Sequence, residues 1–131
     1  MADDLTAKLL SPDFEVADQA LTEAIKRRDA ALIGVALDQQ HLEMKLKAAQ
    51  ALLDAGNRAS VPRLISALDG NQVFYTGDSE TTTLQDELNQ ALIAALGRQT
   101  GIDFRPVDLR SGPDIARVLR LSREWWEKNR N

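Results

Sequence analysis

Ala48–Asn71 reads AAQALLDAGNRASVPRLISALDGN, and Ala17–Gln40 reads ADQALTEAIKRRDAALIGVALDQQ. Shifted by 31 positions with no gap, the two 24-residue stretches agree at nine places: Ala17/Ala48, Gln19/Gln50, Ala20/Ala51, Leu21/Leu52, Ala24/Ala55, Arg27/Arg58, Ala36/Ala67, Leu37/Leu68 and Asp38/Asp69. A period of about 30 residues, each holding a pair of helices, is the signature of a helical solenoid. Each hairpin has an apolar stripe it cannot cover alone, so stacking hairpins buries the stripes in one core.

The flanking segments carry the same pattern. Ser11-Pro12-Asp13 reads as a helix start with Ser11 as N-cap, and Phe14, Ala17, Leu21, Ala24 and Ile25 follow at helical spacing. After a tight connection at Asp29, a second helix, Ala30 to about Gln39, is apolar on nearly every side and must sit between neighbours. A third runs from Leu42 to Ala55, with Glu43 and Lys47 as an i,i+4 pair and Gly56 as a left-handed terminator. Ser60 caps a fourth on the stripe Val61, Leu64, Ile65 and Leu68, which Asp69-Gly70-Asn71 breaks.

Beyond Asn71 the spacing stretches. Gln90-Ala91-Leu92 with Ala95 matches Gln50-Ala51-Leu52 with Ala55 at an offset of 40, so an insertion of nine residues beyond the period lies between. It falls in the polar stretch Gln72–Thr82, QVFYTGDSETT, and insertions in solenoids map to loops. Thr83 with Asp86 opens the next helix as a capping box, and that helix runs to about Arg98. Gly97 and Gly101 bracket its end. Residues 100–112 form an irregular link containing Phe104, Pro106, Val107 and Leu109, and Ser111-Gly112-Pro113-Asp114 starts the last helix on Ile115, Val118, Leu119, Trp125 and Trp126.

The resulting expectation is one all-α domain over residues 1–131, with repeats at about 11–40, 41–71 and 83–129 and an insertion loop at 72–82. Its fold is a right-handed α-solenoid of two to three hairpins, closed by a C-terminal capping helix. The residues that carry this pattern resemble the HEAT repeat family, in particular the short bacterial HEAT-like repeats of phycobilisome-lyase type. The resemblance rests on LLSPDFEVADQALTEA, KAAQALLDAGNRASVPRLISALDG and ELNQALIAALGRQTGIDF, and extends to the ending REWWEKNR. It implies a non-enzymatic protein–protein interaction module, a scaffold whose partner is another protein. It also leaves open a subunit of a bilin-lyase-type enzyme, or a nucleic-acid-binding protein like the HEAT-like alkylpurine glycosylases.

Composition narrows these. With no cysteine, disulfides and cysteine metal sites are excluded. The start MADDLTAKLL lacks the pattern of a signal peptide, and no apolar run is long enough to span a bilayer, so a soluble cytoplasmic protein is expected. Residues 1–97 carry 8 Lys/Arg against 15 Asp/Glu, whereas residues 98–131 carry 8 against 5. Arg110, Arg117, Arg120, Arg123 and Arg130 could line a phosphate-binding stripe beside Trp125 and Trp126, but interspersed acids and an acidic whole argue against nucleic acid.

No phosphate loop, dinucleotide fingerprint or nucleophile elbow is present, and no catalytic residue, metal ligand set or cofactor is assigned. The lone His41 is expected to serve in a loop or cap. The repeated Asp38 and Asp69 are expected to bond backbone N–H groups. Arg63 and Ser66, on the second helix of a repeat, and Phe74 and Tyr75, in the insertion, are the candidate partner-binding residues. Few repeats leave a small interaction surface, so a homo-oligomer formed through an end face is a further expectation.

Overall fold

The computed structural model describes the backbone of residues 2–72 and 79–130 and the side chains of residues 5–72 and 82–130. It is all-helical: α1 (Ala2–Leu9), α2 (Phe14–Lys26), α3 (Ala30–Val35), α4 (Leu42–Ala55), α5 (Val61–Gln72), α6 (Ser79–Thr100) and α7 (Gly112–Asn129), with 3-10 turns at Ala36–Asp38 and Arg58–Ser60. No strand occurs among the described residues, and none of their helices is long and apolar enough to cross a membrane.

Two chains of contacts run through the molecule. α4 packs against both α2 and α6, and α5 packs against both the Ala36–Asp38 turn and α7. The core they enclose is aliphatic. Leu21, Ile33, Met44, Leu52, Leu64, Leu68, Leu88, Leu92 and Leu96 are all fully buried, each contributing about 1.5–3 kcal/mol by removal from water. Ala17, Ala20, Ala24, Ala48 and Ala49 are buried as well, and their small side chains keep α2 and α4 close. Trp125 and Trp126 lie half-buried against the C-terminal end of this core.

Polar side chains tie neighbouring helices together. Lys47 of α4 donates to Asp18 Oδ1 and Thr22 Oγ1 of α2, both at 2.8 Å, rather than pairing with Glu43 one turn away. Arg63 of α5 reaches Asp38 at 3.1 Å, and Arg123 of α7 reaches Asp69 at 3.3 Å. The repeated aspartates therefore receive arginines from a later element and not backbone N–H groups. Both pairs are exposed, so each contributes under about 1 kcal/mol.

Several boundaries differ from the sequence expectation. Asp13, not Ser11, caps α2: its carboxylate accepts from the N–H of Glu15 at 3.0 Å and of Val16 at 3.4 Å, while Ser11 Oγ accepts from Asp13 N–H at 3.1 Å. α3 stops at Val35 and tightens into a 3-10 turn. The chain then turns extended at Gln39, whose buried amide donates to Leu9 O at 3.0 Å and Ser11 O at 2.9 Å. Gly56 has φ −71° and ψ 166° and is not left-handed. Its glycine is needed because a Cβ there would collide with the carbonyl oxygen of Leu52. The left-handed positions among the described residues are Arg28 at φ 52° and Gly101 at φ 75°.

Asp69-Gly70-Asn71 does not break α5, which continues to Gln72. Asn71 is buried there and donates to Asn89 Oδ1 at 2.8 Å and Gln85 O at 3.0 Å. Those bonds hold the last turn of α5 helical against α6. The next helix is already formed at Ser79, so the capping box expected at Thr83 does not open it. Thr83 lies inside α6, and residues 79–82 of the expected loop are helical. Residues 73–78 lie outside the described residues.

Gln85 is wholly buried, and both polar atoms of its side-chain amide lack a hydrogen-bond partner. A buried donor or acceptor left without a partner costs about 1–3 kcal/mol. Opposite outcomes are therefore expected for two neighbouring amides in denaturant unfolding. Asn89→Ala removes the acceptor of one Asn71 side-chain N–H, leaving the bond to Gln85 O, and lowers stability by about 1–3 kcal/mol. Gln85→Met keeps the volume, removes the unpartnered groups and raises stability by a comparable amount.

Candidate functional site

A largely apolar concavity lies where the chain leaves α6. Residues 101–111 run back along that helix as an irregular linker, enclosing a groove of about 470 Å³. Gln90, Ile93, Ala94 and Gly97 form its helical wall. Ile102, Val107 and Leu109 form the wall opposite, with Phe104, only 3% exposed, also lining it. Asp103 and Arg105, both exposed, are the charged side chains that line it.

Local chemistry holds this linker in place. Gly101, left-handed, ends α6, and its N–H bonds Gly97 O at 2.9 Å. Gly97 itself lets the linker lie close: a Cβ there would come within 3.3 Å of Ile102 O and 3.9 Å of the Phe104 ring. Arg117 of α7 donates to Phe104 O at 2.9 Å and Pro106 O at 2.7 Å, pinning the linker from behind. Asn89 Nδ2 donates to Leu109 O at 3.1 Å, and Arg110 forms an ion pair with Asp86 at 2.7 Å. Ser111 caps α7 as its sequence context implies, accepting from Asp114 N–H.

The ion pair at the groove is well formed. Arg105 Nε and NH2 donate to the two carboxylate oxygens of Asp103 at 3.0 Å each, and Arg105 N–H donates to Asp103 Oδ1 at 3.0 Å. The guanidinium hydrogen bond, then the backbone one, lowers the Asp103 pKa to about 2.

Of the candidate partner-binding residues, Arg63 and Ser66 fall among the described ones. Arg63 and Ser66 share the outer side of α5, but Arg63 is already bonded to Asp38 and lies 3.5 Å from Gly34 O. Gly34 permits this approach, since a Cβ there would stand 2.7 Å from Arg63 Cδ. Phe74 and Tyr75 lie outside the described residues. His41 occupies the N-cap position of α4 through its backbone carbonyl. Its ring meets Phe14 edge to face at 5.6 Å, and its Nε2 lies 3.2 Å from Pro12 O.

Among the described residues no group of three or more His, Cys, Asp or Glu side chains converges as a metal site. The arginines of the basic tail are largely engaged: Arg110 with Asp86, Arg123 with Asp69, Arg130 with Glu127, and Arg117 with linker carbonyls. The groove was not singled out from sequence. Its signal was present as a cluster of apolar residues, Ile102, Phe104, Val107 and Leu109, within a segment of no helical period. No protein-family model, curated protein or solved structure matches the chain.

The Asp103 shift sets a pH window. A carboxylate whose pKa is lowered by folding contributes stability that is present above its unfolded pKa, near 3.8, and lost as pH falls through about 2. In an NMR titration of the side-chain carboxyls, Asp103 is expected to titrate near 2, and Arg105→Gln to return it toward 3.8.

Proposed function

We propose that this chain is a non-enzymatic protein–protein interaction module, a short α-solenoid of HEAT-like hairpins whose linker groove takes an apolar segment of another protein. The solenoid reading draws support from the two contact chains, α2–α4–α6 and α3 with its 3-10 turn–α5–α7. Each repeated aspartate, Asp38 and Asp69, also receives an arginine from a later helix, Arg63 of α5 and Arg123 of α7, at different places along those helices.

One observation carries the interaction reading: the groove between α6 and residues 101–111 is open, apolar on both walls and of a size for a few aliphatic side chains. Ile93, Ile102, Val107 and Leu109 remain partly exposed there. Covering them by a partner's aliphatic residues removes apolar surface from water at about 25 cal/mol per Å². The fitting partner is a short amphipathic segment, its aliphatic side chains in the groove and its polar side toward the Asp103–Arg105 pair. Arg110, Arg117 and Arg123 of the tail are bonded to acids and carbonyls of the same chain, which favours this reading over a phosphate-binding one.

The test is selection from a displayed peptide library, followed by NMR mapping of the selected peptides on the protein. Peptides with aliphatic residues at helical or alternating spacing are expected to shift the amides of residues 90–97 and 102–109. Ile93→Asp, at a partly exposed position, should retain the fold and weaken binding at least tenfold, about 1.4 kcal/mol. Failure to select any peptide overturns the module reading. Shifts confined to α5 around Arg63 and Ser66 would overturn the assignment of the groove and move the surface there.

A further inference from the structure

We propose that two copies of this chain associate through a second groove, between α4 and α6, with their α6 helices antiparallel. The groove measures about 430 Å³ and is lined by Gln50 and Leu53 of α4 and by Glu87, Gln90, Ala91 and Ala94 of α6. It lies along α6 and shares Gln90 and Ala94 with the linker groove, while Ile93 and the linker stay outside it.

α6 itself carries a symmetry that suits a second copy as the occupant. Residues 87–98 read ELNQALIAALGR. Glu87 and Arg98 are 11 residues apart. At about 100° per residue that places them within about 20° of one helical face and about 16 Å apart along the axis. The midpoint falls between Leu92 and Ile93. Ala91 and Ala94 stand symmetrically about that same midpoint and on the same face. Turned about a two-fold axis through it, the helix meets itself with Ala91 against Ala94 of the second copy and Glu87 against Arg98 of the second copy, twice over. This is the self-complementary patch a two-fold interface requires.

The charges are available for those contacts. Glu87 and Arg98 are both exposed, and neither has a hydrogen bond or ion pair from its side chain among the described residues. The adjacent Asp86 is committed to Arg110. The two alanines let the helix axes approach to about 8 Å, the close end of helix packing. Leu53 of each copy then covers the outer side of the other's α6. The contact is one groove wide, at or below the roughly 1,200 Å² of a standard interface, so the association is weak and salt-sensitive.

Sedimentation equilibrium of the full chain, from about 1 to 500 µM at low salt, is the experiment, the range chosen for an interface of this small size. The wild type should dimerise, and Glu87→Arg or Arg98→Glu alone should raise the dissociation constant at least tenfold by setting like charges face to face in two places. Both positions are exposed, so circular dichroism and thermal unfolding should be unchanged. The decisive sample is an equimolar mixture of the two single variants. In the antiparallel register the mixed dimer sets an arginine against a glutamate at both contacts, so the mixture should dimerise more tightly than either variant alone. A wild type that stays monomeric throughout overturns the proposal. So does a dimer indifferent to the single reversals, or a mixture no tighter than its components.

Discussion

The structure beyond α5 depends on one buried amide. Asn89 is fully buried on α6 and accepts from Asn71 at 2.8 Å and Gln72 at 3.0 Å, at the end of α5, while donating to Leu109 O of the linker. Three segments that are far apart in the chain thus share one side chain. A buried amide of this kind is unfavourable unless nearly all its groups are paired, so it tolerates few alternative arrangements. It keeps α5 helical through Gly70, sets α6 beside it, and returns the linker along α6. Both grooves follow from that placement, since each uses α6 as a wall.

Electrostatics plays a different part from the one its distribution suggests. The surplus of cations after residue 97 looks like a surface directed at an anionic partner. In the folded chain Arg110 and Arg123 answer acids on α6 and α5, and Arg117 is spent on linker carbonyls. The asymmetry along the sequence is thus largely balanced in space. Beside α6 the uncovered surface is chiefly apolar: a linker rich in Ile, Phe, Val and Leu that helix packing does not fully cover.

Helix existence was legible from the sequence and helix ends were not. The buried stripe of α5 falls where the 3.6-residue spacing places it, as does that of α7 through Leu119, because that pattern reflects burial on one side, whereas Phe14 at the head of the α2 stripe is exposed and α4 buries Met44 and Ala48. The errors sit at termini, where competing local signals are resolved by distant partners. Gly70-Asn71 is a breaker by propensity, yet Asn71 is held by residues 14 and 18 positions away. Gln39 ends its segment because its amide is drawn to carbonyls 28 and 30 positions back. Lys47 forgoes Glu43 on its own helix for Asp18 on another.

By itself the sequence determined a helical chain, part of its core-facing residues, and the punctuation at Asp29, Gly101 and Ser111. These are short-range matters of periodicity, capping and backbone freedom, settled within one or two turns. Only the tertiary structure decided which arginine meets which repeated aspartate, where the buried amides find partners, and that an irregular linker lies against α6 to form a groove. Those contacts join residues as far apart as Asp69 and Arg123, 54 positions along the chain. No local pattern encodes such a pairing, because it exists only once the intervening helices have packed.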